Sequence, residues 1–113
     1  MHTNDVVPLD ELGIAERVPV TQAQIEAFCR KWKIRELALF GSVLRDDFRP
    51  DSDIDVLVEF EPDSGHSLFE FYDMEQELRA LFGRKVDLVE KGAVRNPYVR
   101  QHIRHNRRTV YAA

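Results

Sequence analysis

Asp53 and Asp55 stand two residues apart, and Ile54, Val56, Val58 and Phe60 alternate with and after them. A period of two is the pattern of a β-strand with one face in a core. The same period puts Asp53, Asp55, Leu57 and Glu59 on the opposite face. The chain must therefore build a sheet that buries one side of this strand and crowds carboxylates at the start of the other. The crowding reaches upstream as well, because Gly41 to Val58, GSVLRDDFRPDSDIDVLV, holds five aspartates in eighteen residues. Two bare ionised carboxylates on one face repel each other, and the pair is stable as a dianion when a cation neutralises it.

The elements around this strand follow from periodicity and punctuation. Residues 1–20 have no clear period and are interrupted by Pro8 and Pro19, which predicts an extended, partly mobile arm ahead of a domain at 21–113. Thr21 and Gln24 have capping-box spacing. Ile25, Phe28, Cys29 and Trp32 then fall on one helical face, so Cys29 is expected as a core thiol and not a nucleophile. Leu37 to Phe40 reads as a short buried strand, and Arg49-Pro50-Asp51-Ser52 as a turn. Residues 67–82 read as a helix with a stripe of Leu68, Phe71, Tyr72, Leu78, Leu81 and Phe82, closed by Gly83. Lys85 to Val89 is a third strand, with Val86 and Leu88 facing one way and Asp87 the other. Asn96-Pro97 opens a last short helix, and Thr109-Val110-Tyr111 forms an edge strand. Helices interleaved with strands imply a small α/β domain.

Three features of this layout can carry chemistry. If the Asp87 strand neighbours the Asp53–Asp55 strand, three carboxylates converge. Carboxylate together with phosphate oxygens is the usual ligand set of Mg²⁺, and paired ions suit an in-line displacement at phosphorus. Gly41 and Ser42 follow a strand, where glycine admits close backbone approach and a serine at a helix start offers its hydroxyl and N–H groups to phosphate oxygens. Arg45, three residues after Ser42, shares its face and suits a phosphate contact. Asp51, Asp53 and Asp55 also imitate the first ligands of an EF-hand, but Val56 and Pro62 stand where that loop needs glycine and glutamate. Asp46 and Asp47 fit a solvated turn, and His102 and His105 a basic helical face.

Composition limits the alternatives. At 113 residues the chain makes one domain with a modest core. No apolar run approaches the length of a membrane span, and the first residues lack the pattern of a signal peptide. A single cysteine excludes an internal disulfide framework and fits a reducing cytoplasm. The net charge of −4 conceals an asymmetry, since all 20 acidic residues precede Lys91 while six of the 16 Lys and Arg follow Glu90. Such a tail either meets a phosphate-rich or acidic partner or docks on the acidic body of its own domain.

Gly41-Ser42, ten residues, then Asp53-Ile54-Asp55 resembles the G-S-x10-D-x-D signature of the polymerase-β-like nucleotidyltransferase superfamily. The segment Gly83 to Val89, GRKVDLV, is similar to the later strand that supplies that family's third acid, here Asp87. The resemblance runs from about Glu36 to Val110, and the compact size looks like the minimal nucleotidyltransferases, the MNT group. It implies a small mixed β-sheet with helices packed on one face. It implies that Asp53, Asp55 and Asp87 are the catalytic acids and bind two Mg²⁺ ions, with Mn²⁺ as the alternative, that Asp87 also helps deprotonate the acceptor, and that Gly41, Ser42 and Arg45 bind the nucleotide. It further implies ATP as substrate, AMP transfer to a hydroxyl, and antitoxin action on a HEPN-domain toxin through one of its tyrosines, within a hetero-oligomer. After Arg45 this chain has Asp46-Asp47 in place of the small residue common there.

Two other functions suit the same residues. The chain can inhibit a partner by occlusion without catalysis. Alternatively it modifies RNA, with Tyr98 and Tyr111 interleaved among Arg100, Arg104, Arg107 and Arg108 to stack bases and hold phosphates.

Overall fold

A computed structural model describes residues 6–12, 18–44, 49, 51–93, 97, 98, 101 and 107–113. Four strands form one mixed sheet. They are β1 (Ile34–Phe40), β2 (Ile54–Phe60), β3 (Val86–Glu90) and β4 (Arg108–Ala112), in the order β3-β2-β1-β4. β1 runs antiparallel to both β2 and β4, and β2 runs parallel to β3. Two helices, α1 (Gln22–Lys31) and α2 (Leu68–Phe82), cover one face. The first strand is longer than the expected Leu37–Phe40, and the expected terminal edge strand is present as β4.

Both helices begin where their capping residues dictate. Thr21 Oγ1 accepts from the Gln24 N–H at 3.1 Å, and Gln24 Oε1 accepts from the Thr21 N–H at 2.8 Å. Ser67 and Glu70 make the same reciprocal pair at the start of α2. Gly83 ends α2 in the left-handed conformation, φ 71°. Replacing Thr21 with alanine strands N–H groups of the first turn and is expected to cost about 1 kcal/mol. A urea titration reads this as a lower midpoint with an unchanged slope.

The core lies between the helices and one face of the sheet. Ile25, Phe28 and Cys29 of α1 and Met74, Leu78 and Phe82 of α2 pack against Ile54, Val56 and Val58 of β2 and Leu37 and Leu39 of β1. Ile34 also faces this core, although it lies two residues from Glu36 on the other face; a bulge between them, at Arg35, resets the alternation. The sequence reading assigned Leu68 and Tyr72 to the apolar stripe of α2, and the structure corrects this, because they are 88% and 60% exposed. At about 100° per residue, Phe71, Met74 and Phe82 fall within about 40° of Leu78, whereas Leu68 and Tyr72 lie about 80° and 120° away. Met74 takes the central place that the expected stripe left out.

The N-terminal arm is packed where it is described. Leu9, Val18 and Val20 are buried in the core, the Val7 N–H donates to the Thr109 carbonyl at 2.9 Å, and Gln22 Oε1 accepts from the Leu9 N–H at 3.0 Å. Over these residues the arm packs on the domain at 21–113. The terminal helix expected from Asn96-Pro97 lies mostly outside the described residues, as do His102 and His105. Cys29 is fully buried, and burial pushes its thiol up to about 12. Native protein is therefore expected to leave Cys29 unalkylated by iodoacetamide at neutral pH, with full labelling in denaturant, as read by intact mass. No helix among the described residues is long and apolar enough to cross a membrane.

Candidate active site

The face of the sheet away from the helices is open. Ala38 and Leu57 form a small apolar floor there, flanked by Phe40 and Val89. Acids stand at one end of that floor. Asp55 is opposite Asp87 in the register of the parallel pair β2–β3, so the two carboxylates share the open face on adjacent strands. Asp53 precedes β2 by one residue and is exposed; Asp55 is half-buried and Asp87 exposed. The strand adjacency required for the acids to meet is thus present. Among the described residues, no three His, Cys, Asp or Glu side chains group closely enough to hold a metal ion, so of the three expected acids the structure pairs Asp55 with Asp87 and leaves Asp53 outside β2. An open set of carboxylate oxygens fits Mg²⁺ or Mn²⁺, which complete their shells with water and substrate phosphate.

Gly41 completes this corner for a reason the sequence did not reveal. It follows Phe40, whose partner in β2 is Asp55, and opens a 3-10 turn, Gly41–Leu44. Its φ is +81°, and a Cβ at this position would lie 2.1 Å from Asp55 Oδ2. Only glycine satisfies both the left-handed backbone and the close seat of the Asp55 carboxylate. Ser42 follows in the same turn, half-buried, and Val43 anchors the turn in the core. Arg45, Asp46 and Asp47 lie outside the described residues.

The turn ahead of Asp53 is tied down by the two residues that precede β3. Arg84 Nη1 donates to the carbonyls of Arg49 and Ser52 at 3.2 and 3.4 Å, the Arg49 N–H donates to Ser52 Oγ at 3.0 Å, and the Ile54 N–H reaches the Lys85 carbonyl at 3.0 Å. No spacing in the sequence marks Arg84 for this role.

The other end of the open face holds an ion network that sequence reasoning also missed. Glu36 is 8% exposed and accepts from Thr109 Oγ1 at 3.1 Å. Arg107 lies 3.8 Å from it, and Lys91 bridges Glu36 and Glu59 at 3.8 and 3.6 Å. A buried carboxylate requires such partners. Two cations of the basic tail are therefore engaged by the acidic body of the domain itself.

The family described as nucleotidyltransferase domain matches residues 22–110. A Methanocaldococcus jannaschii protein, provisionally named a protein adenylyltransferase, is 44% identical over 65% of this chain and 72% of its own length. The protein adenylyltransferase MntA of Thermococcus cleftensis is 35% identical over 75% of this chain and 84% of its own. In fold, the chain is similar to one in the solved complex of a tri-AMPylated Shewanella oneidensis HEPN toxin with its MNT antitoxin. That likeness has a TM-score of 0.60 at 20% identity and covers 81% of this chain and 70% of the other. The sheet, the glycine turn and these matches agree, and the chain belongs to the nucleotidyltransferase domain family, among its minimal nucleotidyltransferases.

Proposed function

We propose that this nucleotidyltransferase moves AMP from ATP to a tyrosine hydroxyl of a HEPN-domain toxin partner, and that this modification makes it the toxin's antitoxin. The observation that carries the reading is the Asp55–Asp87 pair, in register on the open face, with Asp55 seated against Gly41. The names of the relatives supply the adenylyl group and the protein acceptor.

In the proposed reaction the tyrosine oxygen forms a bond to the α-phosphorus of ATP. The bond from that phosphorus to the bridging oxygen of the β-phosphate breaks, and pyrophosphate leaves. Asp87, exposed on the edge strand β3, takes the proton of the attacking hydroxyl. Gly41 and Ser42 hold the β- and γ-phosphates with backbone N–H groups and the serine hydroxyl, and Arg45 adds a cation to that end of the nucleotide. Asp53 and Asp55, with Asp87, would hold Mg²⁺ or Mn²⁺, which neutralises phosphate charge and polarises the α-phosphorus when bound. The remaining catalysis is positioning on rigid strands.

The pairing of Lys91 and Arg107 with Glu36 and Glu59 weighs against a tail devoted to RNA. The direct test gives the protein, Mg²⁺ and the HEPN partner either α-labelled or γ-labelled ATP. Adenylyl transfer puts the α-label alone on the partner. Partner labelled from the γ-position would mean phosphoryl transfer and overturn the reading.

A further inference from the structure

The acids occupy one end of β2, and a second feature stands at its other end, roughly 20 Å away at the rise of a seven-residue strand. The first two turns of α2 display Leu68, Phe69 and Tyr72 at 88%, 86% and 60% exposure. Their helical positions, about 80°, 180° and 120° from Leu78, place them together on the outer side of α2. Beside them opens a hollow of about 690 Å³ whose lining includes Phe60, Pro62, Leu68 and Phe71.

This surface is held rigid. The Ser67–Glu70 capping box fixes the first turn. His66 Nε2 donates to the Trp32 carbonyl, and the His66 ring meets Phe60 edge-on at 4.9 Å between centroids. Phe71 meets Phe60 in the same way at 6.4 Å. A preformed apolar surface loses little freedom on binding.

Its rim is acidic. Glu59, Glu61 and Glu90 line the hollow, while the one lysine there, Lys91, is shared between Glu36 and Glu59. Glu70 adds a charge on the first turn; the Ser67 backbone N–H holds its carboxyl below the usual range. An apolar centre with an anionic rim selects an apolar surface with a cationic rim.

We infer that Leu68, Phe69 and Tyr72, with the adjoining hollow, form a docking site, remote from the carboxylates, for a cation-rimmed apolar surface of the protein that receives the nucleotide. The inference rests on the proposed function for the identity of that protein. Docking at this distance anchors the partner by its body while its acceptor hydroxyl reaches the acids along the open face.

The test uses Leu68→Glu/Phe69→Glu. Glutamate in the first turn of a helix is favoured by the helix dipole, and both side chains leave no core void, so the variant keeps the fold. Transfer to the full-length HEPN partner is expected to show KM raised at least tenfold with kcat unchanged. Transfer to a short tyrosine peptide from the partner, which cannot span both sites, is expected to be unaffected. Glu61→Lys/Glu90→Lys should raise KM similarly. An unchanged KM for the full-length partner would overturn the inference, as would a wild-type dimer that the Leu68→Glu/Phe69→Glu change splits while KM stays the same. If the wild type transfers no label, the function reading fails instead, and calorimetric binding of the partner by wild type and variant decides the docking site separately. Equal affinity would overturn it, and a tenfold loss would uphold it.

Discussion

Asp53→Asn with Asp55→Asn is expected to abolish AMP transfer, by on the order of 10³-fold or more, because the site's anionic ligands and its charge preorganisation go together. The same protein should still fold. Asn keeps the shape of Asp, Asp53 is exposed, and Asp55 shares its face with Asp87 on the next strand. Removing like charge from that face relieves repulsion in metal-free protein. The expected result is therefore a lost activity beside a thermal transition that stays cooperative. Partner binding, placed at the other end of β2, should persist. Transfer retained by this variant would show that the carboxylates are not the site.

Gly41→Ala should lose activity through geometry instead of charge. The backbone there has φ +81°, a conformation that costs a residue with a Cβ roughly 1–2 kcal/mol. The methyl group would also stand 2.1 Å from Asp55 Oδ2, so the carboxylate must leave its seat. Gly83→Ala is the control. Gly83 has φ +71°, but a Cβ added there meets nothing within 4 Å. Both variants should lose comparable stability in urea. Only Gly41→Ala should lose transfer per folded molecule, on the order of 100-fold, as expected when a reacting group is displaced by about 1 Å. Equal activity in the two variants would mean that the close approach to Asp55 has no catalytic consequence.

Much of the fold was legible because its signals are local. Thr21 with Gln24 and Gly83 mark helix ends by their own hydrogen-bonding needs or backbone freedom, and the structure places ends there. The alternation from Ile54 to Phe60 gave both faces of β2 correctly. Whatever depends on pairing was not legible. No local pattern states that β3 lies beside β2 in the register that sets Asp87 opposite Asp55, and the sequence supported this only as a condition. The bulge at Arg35 brings Ile34 into the core against the alternation, and the contacts of Glu36 with Lys91, Arg107 and Thr109 depend on strand pairing that no local pattern states. Leu68 and Tyr72 escape a reading by apolar character alone, because their angular positions on α2, and not their polarity, turn them outward.

The central claim is that AMP arrives on the partner and that these carboxylates put it there. Intact-protein and peptide mass spectrometry of the HEPN partner, incubated with ATP, Mg²⁺ and the wild-type chain or Asp55→Asn, tests it most directly. The expected result is partner carrying AMP on tyrosine with the wild type and unmodified with the variant. A partner that stays unmodified yet is silenced equally by both proteins would contradict the account and make the chain an inhibitor by occlusion.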